Sequence, residues 1–404
     1  MKKSIFTKIF ILTFSIIILK GCKTLSLNDS VDLTITNAHL YVEPGVSPIE
    51  GMNISIKDGK IVSIYKHKPL KSNIIINAKG RSVTAGFWNS HVHLTNPQFK
   101  KPDGDIVKEM LLKYGFTTVI DTGSNLQDTL LLKKLIEQGK LLGPRIFSAS
   151  GSFVFTNGTP SYLKGIKLPE IDQPDQANSL IASVLNSGAN GIKIFSGSFQ
   201  SQKETIHLPP KVIRAISKAT HSRDSFVMAH PTDRIGVVNA VNNGVDILAH
   251  TAPQAGPFGS DLIETMKQNN VAMIPTLKLW KYELIQAGVN ENQALKFQKI
   301  AINQLNEYLK IGGEILFGTD VGYMHDFNTT EEFKLMSDAG MDYNDILASL
   351  TTVPSTRFST SDGKVLKGSQ ADLVILKDDP ALDITAFSRV AYTIRNGKII
   401  YKSN

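Results

Sequence analysis

Ser82-Val83-Thr84-Ala85-Gly86-Phe87-Trp88-Asn89-Ser90-His91-Val92-His93 is a largely apolar run that closes on two histidines. It reads as a short buried strand. In a strand, residues two apart project to the same face, so both imidazoles can reach one metal ion. Four further polar groups take the same kind of place at the end of a short apolar run: Lys193, His230, His250 and Asp320. Six groups with one placement make a pattern that chance rarely produces.

Working outward, strand-like runs recur at 117–121, 145–148, 191–194, 226–230, 245–250, 271–275 and 315–320. With the strand before His91 they make eight. Helical patterns lie between them, as at 210–223, 235–243, 261–268 and 291–311. Strand–helix alternation implies a parallel sheet. From His91 to Asp320 the seven steps average about 33 residues, close to the ~250 residues of a whole (β/α)8 barrel. In that fold, active sites lie at the C-terminal strand ends, where all six groups fall.

The flanks differ in kind. Segment 31–80 shows alternating strands with a turn at Asp58-Gly59, and 360–404 repeats the style with a turn at Asn396-Gly397. Alternation broken by such pairs marks antiparallel hairpins. The expectation is an α/β chain: a TIM barrel over 81–359, plus a small β-sandwich built from 31–80 and 360–404.

Lys2 and Lys3 precede an apolar run over 9–19, and Gly21-Cys22 follows. This is a secretory signal pattern, too short for a membrane span. Leu19-Lys20-Gly21-Cys22 also resembles a bacterial lipobox, with Lys20 atypical inside it. Cys22 is the single cysteine of 404 residues, which excludes an intrachain disulfide and fits lipid attachment. The expectation is a signal over 1–21, a tether over 22–30, and an exported, lipid-anchored protein of the bacterial cell envelope. Removing the four signal lysines lowers the net charge from +8 to about +4. The remaining charges form no basic stripe, which argues against a nucleic-acid partner.

The chemistry of the six groups is specific. Neutral imidazole suits zinc and similar divalent ions. A protonated lysine offers only donors. A lysine desolvated at a strand end can instead lose its proton and react with CO2, giving an anionic carbamate able to bridge two metals. Asp320 reads either as a helix N-cap or as a ligand that accepts a proton from water.

This motif set resembles the amidohydrolase superfamily, in its dinuclear, carboxylated-lysine branch, over about residues 31–403. The layout is similar to imidazolonepropionase-like and prolidase-like members. The resemblance implies one metal on His91, His93 and Asp320, a second on His230 and His250, and carboxylated Lys193 with a hydroxide between them. Zinc is the default for both ions. It implies Asp320 as general base and then general acid in cleavage of an amide, peptide or cyclic amide C–N bond. Ala85-Gly86 and Asn89 depart from the family's usual Pro-Gly and Asp. Thr352-Val-Pro-Ser-Thr-Arg also replaces a more usual Asn-Ala-Ala-Arg-like segment.

For substrate, the expectation is a small molecule or short peptide, with a dipeptide first. Arg234 reads either as the partner of a substrate carboxylate or as a solvated helix-start arginine. Tyr323, Trp280 and His325 read as pocket walls or as packing. Two other functions stay open: a mononuclear deaminase, which usually lacks the Lys193 equivalent, and a non-catalytic metal- or ligand-binding lipoprotein.

Overall fold

The computed structural model describes residues 30–94 and 104–404, so the expected signal, lipobox and Cys22 lie outside the described residues. Its strands are β1 Val31–Leu40, β2 Ile49–Lys57, β3 Lys60–Tyr65, β4 Ser72–Asn77, β5 Ser82–Ala85 and β6 Phe87–Val92, followed by β7 Phe116–Thr122, β8 Arg145–Phe153 and β9 Gly191–Phe195. The hairpin β10 Gly197–Ser201 and β11 Glu204–His207 comes next, then β12 Phe226–His230, β13 Ile247–Leu248 and β14 Ala272–Met273. The chain closes with β15 Leu373–Leu376, β16 Val390–Arg395 and β17 Lys398–Lys402.

Both chain ends enter one eight-stranded sheet, ordered β17-β16-β15-β5-β1-β2-β3, with β4 also paired to β1. The seam is β5 against β15, antiparallel. The hydrogen bonding is continuous from β17 through to β3, and apolar residues from both flanks share one core. Asp58-Gly59 and Asn396-Gly397 make the expected two-residue turns, with positive φ at all four positions.

The second sheet is seven-stranded, ordered β14-β13-β12-β9-β8-β7-β6, and every pairing in it is parallel. Its edges both reach the segment 315–321. Met273 bridges Ile315 on one side, and Val92 bridges Val321 on the other. Strand alternation sorts the side chains into two layers. Val119, Ile192, Ile194, Val227 and Ala229 face a core shared with the helices. Trp88, Ile120, Ala149, Met228, Ile247, Ala272 and Leu316 fill the other face. Phe358 stacks on Trp88 at 5.6 Å and meets Phe226 edge-on at 5.1 Å. This aromatic cluster lies toward the N-terminal strand ends and leaves the C-terminal ends for polar groups.

The expected helices form at Pro210–His221, Arg234–Val241, Ser260–Gln268 and Glu291–Lys310. A further helix, Leu277–Gln286, occupies a stretch that reads as loop in sequence. Arg145 at the start of β8 bonds Asp362 and Asp372, both buried, and so ties the parallel sheet to the terminal one.

Candidate metal centre

His91 and His93 come from the end of β6, whose pairing with β7 shifts register between Asn89 and Val92. The shift changes which parity faces inward, from Trp88 to His91. Asn89 fixes it. Its amide donates to Thr319 Oγ1 at 2.7 Å, and its Oδ1 accepts from the backbone N–H groups of His91 and Thr319. Asp320 follows at φ +60°, its backbone N–H bonded to the His91 carbonyl at 2.9 Å. One asparagine thus sets both sides of the centre.

Asp320 Oδ1 lies 2.9 Å from His93 Nε2 and 3.2 Å from His91 Nε2. One donor atom each from His91, His250 and Asp320 falls within 4.8 Å of the others. His250 Nδ1 is paired with the Thr276 hydroxyl at 2.7 Å, so its Nε2 is the nitrogen left for a ligand. The His230 ring stands 4.9 Å from that of His250. Lys193 points inward between Ile192 and Ile194, opposite Met228 on β12. Among the described residues its ammonium has no hydrogen bond or ion pair. All six residues picked out in the sequence line one cavity of about 130 Å³.

The electrostatics suit cation binding. Burial pulls His91 and His230 down to about 3, aided by the Lys193 charge, and burial holds His250 well below the usual range. These imidazoles are therefore neutral, with lone pairs available. Burial opposes ionisation of Asp320, yet His91 and His93 outweigh it and keep the carboxyl well below the usual range. Burial brings Lys193 down to about 7, with Asp320 partly opposing. His91 Nδ1 is buried without a partner among the described residues. Neutral nitrogens around an ionised carboxylate, with an unpaired imidazole nitrogen among them, fit a divalent metal site.

The weaker expectations divide. Tyr323 lines the cavity and donates its hydroxyl to Glu283 Oε1 at 2.6 Å. Arg234 lies outside the lining. Its guanidinium donates to the carbonyls of Pro257 and Phe258, so the structure does not bring it to a substrate carboxylate. Trp280 bonds Thr251 through Nε1, and neither it nor His325 lines the cavity. Sequence reasoning missed Glu283 in the lining and placed Leu279 only in a loop. Their i, i+4 spacing on one helix face was the available signal, and a loop reading of that stretch hid it.

Residues 82–400 match the family model described as "Amidohydrolase family". The chain belongs to the amidohydrolase family. Among individual relatives it is similar to ochratoxinase of Aspergillus niger, at 22% identity over 302 residues. That match covers 66% of this chain and 62% of the relative, so the chain spans less than two thirds of that relative's length. Among solved structures it is similar to a Xaa-Pro dipeptidase with methionine in the active site (TM-score 0.81, 21% identity, 92% of this chain and all of the other). A putative prolidase from Bifidobacterium longum gives a TM-score of 0.77 at 23% identity, covering 92% and 95%.

Proposed function

We propose that this chain is a metal-dependent hydrolase that adds water across an amide or related C–N bond of a small molecule or short peptide. The observation that carries this is the convergence of six donors, three of them neutral imidazoles beside an ionised Asp320, on one cavity. We further infer that the seven strands and segment 315–321 close a (β/α)8 barrel, with the chain ends forming its sandwich-like companion.

His91, His93 and Asp320 would hold one divalent ion, His230 and His250 a second, and Lys193, as its CO2 adduct, both. Zinc is the default. Bound there, such ions polarise a carbonyl and acidify water. Asp320 takes the proton from the attacking water as its oxygen bonds to the carbonyl carbon. It returns that proton to the nitrogen as the C–N bond breaks, yielding an acid and an amine. With its pKa brought down to about 7, Lys193 supplies at neutral pH a share of the free amine that CO2 addition requires.

Metal stripped by chelator and restored as zinc, cobalt or manganese should abolish and recover turnover on a panel of Xaa-Pro and other dipeptides and simple amides. Asp320→Asn should lower kcat by roughly 10²- to 10⁴-fold with the fold retained. Loaded protein that cleaves no amide sinks the reading. One ion per chain with a harmless Lys193→Ala would point to a mononuclear deaminase. The Leu19–Cys22 stretch supports export and lipid anchoring. Cys22→Ser should then move the protein out of the membrane fraction, and membrane association that persists would remove the anchor.

A further inference from the structure

The cavity has a second pole. Among its described walls, Glu283 is the one acid besides Asp320, and Lys193 is the one lysine or arginine. Glu283 projects from helix Leu277–Gln286 one turn after Leu279. Its Oε1 accepts the Tyr323 hydroxyl at 2.6 Å, while its second oxygen has no hydrogen bond or cation among the described residues. Tyr323 links the two poles, since its ring lies 6.4 Å from that of His93.

We propose that Glu283 forms a cation-recognising subsite, so that the substrate carries a charged amine close to the amide it loses; this rests on the hydrolase reading above. Glu283 is half-buried and already held by Tyr323, so a cation that displaces solvent from the cavity meets a carboxylate fixed in place. Burial and the nearby Asp320 charge push its carboxyl up, the environment a substrate ammonium would relieve. No arginine in the described walls is placed to hold a substrate carboxylate. Leu163, Ile166, Leu168 and Leu279 supply apolar walls, which suit an aliphatic side chain beside the amine. The substrate class is therefore an unblocked aminoacyl amide or peptide with an apolar first residue, or an amide bearing a side-chain amine.

Metal-loaded wild-type protein is assayed on leucyl-, N-acetyl-leucyl- and N-acetyl-lysyl-4-nitroanilide. One of the two amines should exceed the acetylated leucyl compound in kcat/KM by roughly 10- to 100-fold. The leucyl compound assigns the α-ammonium, and the lysyl compound assigns a side-chain cation. Glu283→Gln should collapse that preference toward unity, and Tyr323→Phe should reduce it in part. Equal rates for amine and acetylated substrates on the wild type overturn the subsite whether or not the variants fold. If no amide is cleaved, the hydrolase reading fails, and calorimetry with leucinamide against N-acetyl-leucinamide decides the subsite alone. Tighter binding of the amine by wild type than by Glu283→Gln supports it, and equal binding of the two compounds overturns it.

Discussion

At the scale of the single residue, Gly322 shows how closely the centre is built. It sits at φ +98°, and a Cβ placed there would lie 1.8 Å from the His93 carbonyl oxygen. Gly322→Ala must displace either Asp320, two residues earlier, or His93. We expect it to lower stability by about 1–3 kcal/mol in chemical denaturation and to weaken metal uptake in titration. Unchanged metal affinity would show that the close approach has no role in the site. The ligands themselves were legible because their chemistry is rare in buried strands: a histidine that closes an apolar run, or a lysine in the middle of Gly191–Phe195, demands an explanation. Asn89 was visible only as a departure from a familiar pattern. Its role as the clasp between β6 and Thr319 depends on a contact 230 residues away in sequence, which no local spacing encodes.

At the scale of the element, helix Leu277–Gln286 carries the wall opposite the metal ligands, and its position depends on Glu332. That buried carboxyl accepts from the backbone N–H groups of Leu277 and Lys278, each at 2.8 Å. Burial raises it to about 7, against the opposing pull of those two N–H groups and the Lys278 charge. The folded protein therefore holds this proton more tightly than the unfolded chain does. The stabilisation is complete below the ordinary glutamate value of about 4.5 and is lost as pH climbs through about 7. Glu332→Gln should flatten that limb, with a smaller drop in Tm between pH 5 and 8 than wild type shows. An equal drop in both would assign the pH dependence to other groups. The helix escaped the sequence reading because Pro275-Thr276 looks like a break. Thr276 in fact initiates the helix from a left-handed backbone, φ +43°. Strands β13 and β14 are two residues each, and His250 and Thr276, which follow them, both sit at positive φ.

At the scale of the whole molecule, the two sheets are pinned at Arg145, whose guanidinium meets the buried Asp372 at 2.9 Å and also bonds Asp362. Arg145→Met would strand two buried carboxylates and should cost roughly 3–5 kcal/mol. Calorimetry should show a lower Tm, and a Tm within a degree of wild type would mean that the network contributes little. The division into a central sheet with flanking ends was legible because periodicity changes from two to 3.6 and back along the chain. The seam itself was not, since nothing local in β5 names β15 as its partner. That seam orders events in time. A chain made from its N-terminus exposes the free edge of β5 while nearly 290 further residues are still being added before Leu373 arrives. Until then the unpaired edge is open to other chains. Closure of the terminal sheet therefore waits for residues 373–376, however early the first five strands form.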